Sequence, residues 1–179
     1  VMIVGGITGT PDRFGAPNNA LDIDGRGGYI NLGNSPTLAL PTFTVSVWFR
    51  WTSDHPTDLY RTILAKGEGG TLYRTNYMLV VYNTQSKEAR AGTLGVVAGH
   101  GDGVKESFLG TPSRVADGRW HHALFVGDSS NNEIRLYLDG KQASVLTKTP
   151  PIYTKESLMA TAGVGMQAKY GPWKGGLDE

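Results

Sequence analysis

Two segments of this chain alternate apolar and polar residues with a period of two, and no other feature limits the possible fold as strongly. Between residues 42 and 51 every second side chain is apolar, and residues 133–139 repeat the pattern. Successive side chains of a β-strand point to opposite faces, so each segment predicts a strand with one buried face. The residues predicted to point into the core are Phe43, Val45, Val47, Phe49, Ile134, Leu136 and Leu138.

Seven shorter segments also have strand character, and clusters of Gly, Asp and Asn separate most of them. They are residues 20–24, 29–32, 62–65, 77–82, 94–98, 120–126 and 162–166. Asp139-Gly140 predicts a hairpin turn. Helical periodicity is absent, so we expect an all-β fold, a two-sheet antiparallel jelly-roll sandwich. A length of 179 residues without an internal linker predicts one domain over residues 1–179.

Composition and charge argue against several kinds of partner. Lys plus Arg number 17 and Asp plus Glu number 16, a net charge of +1 without like-charge runs, so we expect no nucleic acid binding. The chain has no Cys, which excludes disulfides and thiolate metal sites. No apolar run approaches the roughly 18 residues that span a bilayer, so we expect no membrane insertion.

Several segments resemble, in their order along the chain, the laminin G-like domains of the concanavalin A-like lectin and glucanase superfamily. The strongest is Asp117-Gly118-Arg119-Trp120-His121-His122, which resembles the family's Asp-Gly-x-Trp-His-His. It is followed by Leu136-Tyr137-Leu138-Asp139-Gly140, which resembles Leu-Tyr-x-Asp-Gly. The others are residues 20–25 with 29–33, residues 43–48, residues 63–67 and the closing segment 175–179. The resemblance implies the same jelly roll.

The chain departs from the family's pattern at its closing segment. In the family, the Leu-Asp-Glu that corresponds to residues 177–179 continues into a final apolar strand, and here nothing follows Glu179. We therefore expect a fragment of a longer polypeptide with its final strand missing. Such a loss leaves an open sheet edge. We expect a neighbouring domain or chain to cover it.

The sequence argues against catalysis. Glucanases of this fold carry a Glu-x-Asp-x-x-Glu arrangement, which is absent here, and glycoside hydrolysis needs two cooperating carboxylates. Asp22 and Asp24 are the one pair at neighbouring alternate positions of a strand, about 7 Å apart by strand rise, and we interpret them as turn or metal ligands. His121 and His122 are neighbours, so they point to opposite faces and cannot hold one ion together. Trp120 beside them is assigned to the core.

A calcium ion is the one cofactor that the resemblance implies. Related jelly rolls hold a structural ion with an Asp at the start of the last strand and with carbonyls near the first strands. The matching positions are Asp178 with Asp24 and Gly25, and the Asp and Gly of such loops supply the oxygen ligands that Ca²⁺ prefers. The alternative is that Asp178 only hydrogen-bonds a turn.

Aromatic residues on otherwise polar strand faces are candidates for ligand binding. Trp48 shares its predicted face with Arg50, and Tyr137 shares its face with Arg135. Aromatic rings stack on the C–H faces of sugars, while Arg binds hydroxyls, although such a face can also be plain amphipathic cover. Loop residues form a second candidate set, because loops commonly carry binding residues. They are His100, Asp102, Tyr170 and Trp173. The alternative for Tyr170 and Trp173 is that they clamp the ends of the sheet, and we favour it for Trp173.

These observations predict a non-catalytic, extracellular binding module whose partner is a glycan or a surface protein. Carbohydrate binding is the first reading, because the family includes lectins and the faces mix aromatic and polar residues. The alternative is a protein-interaction, adhesion or assembly module of a cell surface or a virion. The open terminal edge of the sheet favours this second hypothesis, an interaction or assembly module.

Overall fold

The computed structural model describes residues 1–68, 74–85, 90–101, 103–155, 159–165 and 171–179. They form an antiparallel β-sandwich, which confirms the predicted all-β jelly-roll class. A short 3-10 turn at Pro36–Leu38 is capped by Ser35. Among the described residues there is no helix with the length and apolar character to cross a membrane.

Within the described residues, each of the two sheets contains seven strands. The first sheet has, in spatial order, β1 (Met2–Val4), β4 (Tyr29–Gly33), β13 (Ala160–Ala162), β6 (Tyr60–Glu68), β7 (Arg74–Tyr82), β8 (Thr93–Ala98) and β9 (Ser107–Arg114). The second sheet has β12 (Lys141–Thr147), β11 (Glu133–Leu138), β10 (Trp120–Asp128), β5 (Thr42–Trp51), β14 (Lys174–Asp178), β3 (Ala20–Asp24) and β2 (Ile7–Thr10).

The main core lies between the two sheets and contains every residue predicted to face it. Val47, Phe49, Ile134 and Leu136 are buried, while Phe43, Val45 and Leu138 are partly buried and pack against the same cluster. The faces of β5 and β11 therefore alternate as the sequence predicts. Burying one apolar face of each sheet is what makes the two layers stable together.

The hairpin between β11 and β12 turns at Asp139 and Gly140. Both residues have positive φ angles, 50° and 77°, as a two-residue type I′ turn requires. Leu138 pairs with Lys141 across this turn. The predicted turn is confirmed.

The closing segment forms β14, which pairs with β3 on one side and with β5 on the other. Two glycines allow it to lie close to its neighbours. Gly175 has φ 138°, and a Cβ there would lie 2.0 Å from the carbonyl oxygen of Arg50. The segment expected to lead into a last strand is thus itself an interior strand. A further strand after Glu179 stays a prediction.

The strand predicted at residues 162–166 has different bounds in the structure. β13 ends at Ala162, because Gly163 has φ 91° and the Ile23 side chain occupies the space where a Cβ would stand. The predicted end at Met166 lies outside the described residues.

Candidate functional site

The outer face of the second sheet carries two tryptophans and two arginines side by side. Register places His122 opposite Trp48 and Trp120 opposite Arg50, with all four side chains on the face turned away from the core. Arg13 reaches this face from the segment between β2 and β3. We call this surface, formed by Trp48, Trp120, Arg13, Arg50 and His122, the tryptophan face.

Trp48 is half-buried and lies between two neighbours. Its ring centroid is 4.9 Å from the imidazole of His122, and the Arg13 guanidinium lies 4.9 Å from its ring. His122 is itself held by a 2.9 Å hydrogen bond between its Nε2 and Ser46 Oγ. These contacts fix the orientation of the Trp48 ring and leave its edge toward solvent.

Trp120 is half-buried on this outer face, so its assignment to the core is wrong. One side of its ring covers Gly176, where a Cβ would lie 2.6 Å from the Trp120 Cη2 atom. The other side faces the Arg50 guanidinium at 5.1 Å. Arg50 Nη2 donates a 3.2 Å hydrogen bond to Thr10 Oγ1. An arginine held over a ring in this way still presents N–H donors.

Arg135 and Tyr137 extend the face across β11. Tyr137 pairs with Leu124 of β10, and β10 in turn pairs with β5, so the predicted residues share one sheet face. Arg135 Nη2 donates to Asp128 Oδ2 at 3.3 Å, and its Nε lies 3.4 Å from Glu133. The charge of Arg135 is therefore already neutralised, which leaves Arg50 as the stronger candidate for a ligand contact.

The predicted loop residues do not join the tryptophan face. His100 follows β8 of the first sheet, with its Nε2 2.8 Å from Ser107 Oγ and its Nδ1 3.1 Å from the Pro151 carbonyl oxygen. Its ring therefore ties the start of β9 to the loop that contains Pro151. Asp102 and Tyr170 lie outside the described residues.

Trp173 is not a ligand platform, because its side chain is fully buried. Its ring packs edge to face against Phe49 and Trp51, with both centroids 6.0 Å away. Its burial agrees with the alternative prediction, a structural role at the end of the sheet. The chain turns Trp173 into the space between the sheets just before β14.

The residues predicted to hold calcium do not fit one ion. Asp178 lies opposite Trp48 at one end of β14, whereas Asp24 lies opposite Lys174 at the other end, about 13 Å away by strand rise. The Asp178 carboxylate is paired with Arg13 at 2.6 Å, and Gly25 lies beside Lys174 and Arg61.

Positively charged side chains lie at both predicted ligand positions, Arg13 beside Asp178 and Lys174 beside Gly25. They disfavour Ca²⁺ binding, because the ion needs several free oxygen ligands. Asp24 Oδ1 accepts a 2.8 Å hydrogen bond from the Arg26 N–H, which agrees with the interpretation of Asp24 as a turn ligand, whereas Asp178 pairs with Arg13 and not with a turn. The described part of the chain contains no group of three or more acidic or histidine side chains placed to bind a metal.

A second surface, on the outer face of the first sheet, was missed by the sequence reasoning. Tyr60, Tyr82 and Phe108 meet there edge to face, and the Arg90 guanidinium lies 3.9 Å from the Phe108 ring. One signal could have revealed it. Residues 77–82 are apolar at every position, which indicates a strand covered on both faces.

The family model of the concanavalin A-like lectin/glucanases superfamily matches residues 24–179 of the chain. None of the curated proteins matches it significantly. Among solved structures, the CBM40 of the Ruminococcus gnavus IT-sialidase bound to α2,3 sialyllactose has a TM-score of 0.70 and 18% identity, covering 89% of this chain and 88% of that chain.

Two other solved structures show the same fold. Domain 4 of AbnA, a GH43 extracellular arabinanase from Geobacillus stearothermophilus in complex with arabinotriose, has a TM-score of 0.68 and 19% identity over 98% of this chain and 73% of that chain. Mouse laminin α1 domains LG4-5 have a TM-score of 0.58 and 10% identity over 89% and 40%. The family match spans most of the chain and agrees with its two sheets, so this chain belongs to the concanavalin A-like lectin/glucanase superfamily.

Proposed function

We propose that this chain is a non-catalytic carbohydrate-binding module of an extracellular protein. The observation that carries the proposal is the tryptophan face, where two indoles and an arginine without a carboxylate partner among the described residues share one exposed sheet surface. Structural neighbours of the same fold support it, because they include one bound to sialyllactose and one bound to arabinotriose.

Sugar recognition at this face would use Trp120 and Arg50 together. Among the described residues, one side-chain hydrogen bond, to Thr10, ties the guanidinium to the protein, so a sugar ring can displace it from the indole at low cost. The exposed indole then stacks on sugar C–H groups, and the Arg50 N–H groups donate to hydroxyls. The Trp48 ring, which His122 and Arg13 hold in place, would form a fixed aromatic surface beside the bound sugar.

The proposal excludes hydrolase activity in this module. Asp22 and Asp24 remain the one pair of carboxylates to test, and Asp24 is already engaged in a turn through the Arg26 N–H. We expect no cleavage of arabinan, sialoglycans or β-glucan by the purified chain. Cleavage that disappears in Asp22→Asn or Asp24→Asn would contradict this part of the proposal.

The test is binding to a glycan array, followed by calorimetry with the strongest ligand. Trp120→Ala should weaken that binding about tenfold or more, since a nucleobase stacked on an aromatic side chain contributes about 1–3 kcal/mol and we expect a stacked sugar ring to contribute a similar amount. Thr44→Ala, on the same sheet face but near its end, is the matched control and should leave binding unchanged. Binding that survives Trp120→Ala, Trp48→Ala and Arg50→Gln in folded protein would move the site elsewhere.

A protein-interaction module is the second candidate function. It is favoured by an apolar cavity of about 500 Å³ that opens between the sheets beside Val1 and Glu179, lined by Leu21, Leu32, Val47 and other apolar side chains. Met2 and Ile3 on the edge strand β1 are also exposed. A neighbouring domain or chain that covers this edge would bury both. Ile3→Lys should then abolish the association while glycan binding stays intact.

A further inference from the structure

We infer that the outer face of the first sheet carries a second binding surface, selective for sugars that bear a carboxylate, with Arg90 as the recognition residue. This inference goes beyond the proposed function in both place and ligand class. It does not depend on the tryptophan face, which lies on the other sheet. The surface is formed by Arg90, Tyr82 and Phe108 over two glycines, and we call it the Arg90 surface.

Two facing glycines make the floor of this surface. Gly95 of β8 pairs with Gly110 of β9. A Cβ on Gly95 would lie 2.8 Å from Tyr82 Cε2 and 2.9 Å from Phe108 Cζ, so the two rings occupy the space directly above the backbone. The rings meet at 70° with centroids 5.9 Å apart. The result is a rigid aromatic platform that needs glycine beneath it.

Arg90 lies on this platform with its charge exposed. Its guanidinium is 3.9 Å from the Phe108 centroid and 5.7 Å from the Tyr82 centroid, and Nη1 lies 3.4 Å from the Tyr82 hydroxyl. Contact with a ring fixes the plane of the guanidinium but leaves the N–H groups along its edge able to donate. Among the described residues, no carboxylate lies within ion-pair distance of Arg90.

Two arginines of the described chain lie against an aromatic ring without an acidic partner, Arg90 here and Arg50 on the tryptophan face. Arg13 is bound to Asp178 and Glu179, and Arg135 is bound to Asp128 and Glu133, so their edges are occupied. Arg90 has the same aromatic support as Arg13 but no acidic partner in the described chain.

A planar fork of N–H donors matches the two oxygens of a carboxylate and holds it bidentately. The partly buried Phe108 ring at its side suits the C–H groups of a pyranose ring, and the buried Tyr82 ring supports it from below. A sialic acid and a uronic acid both offer this combination of a carboxylate on a sugar ring. A neutral sugar offers only hydroxyls, which bind a guanidinium more weakly because the hydrogen bonds lack the anionic acceptor.

The test is calorimetry of the whole chain with sialyllactose, with a glucuronic acid oligosaccharide and with lactose. We expect at least one acidic sugar to bind about tenfold or more tightly than lactose, and Arg90→Gln to remove that preference. If sialyllactose binds more tightly, the ligand is a sialate, and if the glucuronic acid oligosaccharide binds more tightly, the ligand is a uronate. Arg90→Lys should recover only part of the affinity, because an ammonium lacks the planar fork.

Two further variants complete the test. Arg26→Gln removes the same charge from an exposed arginine in the turn between β3 and β4 and should leave binding unchanged. Gly95→Ala should weaken binding by displacing the platform, and a melting curve verifies that the variant is folded. Substitution of Arg90 keeps its backbone carbonyl, which accepts from the Thr93 N–H and hydroxyl, so the local turn persists.

Equal binding of acidic and neutral sugars, no binding of either acid, or full binding by Arg90→Gln would each overturn the inference. These outcomes are separable from the proposed function, which Trp120→Ala tests on the other sheet. A neutral glycan that binds in a Trp120-dependent way upholds the proposed function whatever Arg90→Gln does.

Discussion

His121 Nδ1 lies 2.9 Å from Asp139 Oδ2, and this contact ties β10 to the turn between β11 and β12. The other oxygen, Asp139 Oδ1, accepts the backbone N–H of His122 at 2.8 Å. On its far side the His121 ring meets Asp117 Oδ1 through Nε2 at 3.1 Å. The Asp-Gly-x-Trp-His-His and Leu-Tyr-x-Asp-Gly motifs therefore contact each other, and we call the hydrogen-bonded cluster of Asp117, His121 and Asp139 the clasp.

Replacing Asp139 should loosen this clasp. Asp139→Ala removes both accepted hydrogen bonds at a partly exposed site and should lower the free energy of unfolding by about 1–2 kcal/mol. Asp139→Asn is the matched control, because Asn tolerates the left-handed φ of 50° and keeps one acceptor oxygen. Urea denaturation should show a smaller loss for Asn. Equal losses would mean that the charge, rather than the acceptor geometry, dominates.

Asp117, the other carboxylate of the clasp, predicts that the stability of the fold depends on pH. Burial alone would raise the pKa of Asp117, but hydrogen bonds from the Arg119 N–H and from His121 outweigh it and lower that pKa. A carboxyl with a depressed pKa stabilises the fold above its unfolded pKa and loses that contribution as pH falls through the folded one. Wild type should therefore be more stable than Asp117→Asn at pH 6.

The difference in melting temperature should shrink as the pH falls below about 4, because Asp117 of the unfolded chain is then protonated before Asp117 of the folded chain, whose pKa is lower. The side chain is 39% exposed, so solvent screening keeps the effect small, below about 1 kcal/mol. A difference that stays constant from pH 6 to pH 3 would contradict this role for Asp117.

Replacing Trp173 should lower the free energy of unfolding more than replacing Trp48, because Trp173 is fully buried in the core whereas Trp48 is half-buried on the outer face. Trp173→Ala leaves a large cavity between Phe49 and Trp51 and should cost about 3–5 kcal/mol. Trp173→Phe keeps an aromatic ring and also removes an indole N–H that has no partner among the described residues, so its loss should be smaller. Trp48→Ala should cost less stability than Trp173→Ala. Denaturant titration of the three variants checks the order.

The interior strands other than β14 were predictable from the sequence because one of their faces is buried against the other sheet. β5 and β11 alternate cleanly for that reason. The strands that the pattern missed at the edges of the sheets are β1, β2, β9 and β12. An edge strand has one neighbour and tolerates residues such as Pro112 of β9, so its alternation is weak.

The sequence predicts which residues of the candidate site share a face of one strand, but it does not predict which residues of different strands and loops meet. Alternation placed Trp48 and Arg50 on one face, because that needs no knowledge of neighbouring strands. It could not supply Arg13, which is brought to Trp48 by a loop, or Trp120, whose position depends on the register between β5 and β10. The Arg90 surface required the pairing of Gly95 with Gly110, which no single strand reveals.

Arg61 should prove essential to the loops at one end of the sandwich. Its guanidinium is buried and donates to the backbone carbonyls of Ser53, Asp54 and Pro172, and burial lowers its pKa. Arg61→Met leaves three carbonyls unpaired and should cost about 2–4 kcal/mol. The exposed Arg26→Met is the matched control and should change stability little. Hydrogen exchange should rise at residues 52–59 in the first variant only.

Calcium should leave the stability of the wild-type chain unchanged. An ion bound at Asp178 with a concentration 100 times its dissociation constant would add about 2.7 kcal/mol, which is several degrees in melting temperature. Arg13 occupies that carboxylate at 2.6 Å and also binds Glu179 at 2.7 Å, and these two acidic partners raise the pKa of Arg13.

Melting curves in millimolar Ca²⁺ and in EDTA should therefore coincide for wild type. Arg13→Ala frees the carboxylates of Asp178 and Glu179, so a calcium response that appears only in this variant would show that the arginine takes the place of the ion. A wild-type melting temperature that rises with Ca²⁺, and stops rising in Asp178→Asn, would restore the family's ion to this position. In that case Arg13 must leave Asp178 when the metal binds, and its contact with Trp48 would be lost as well.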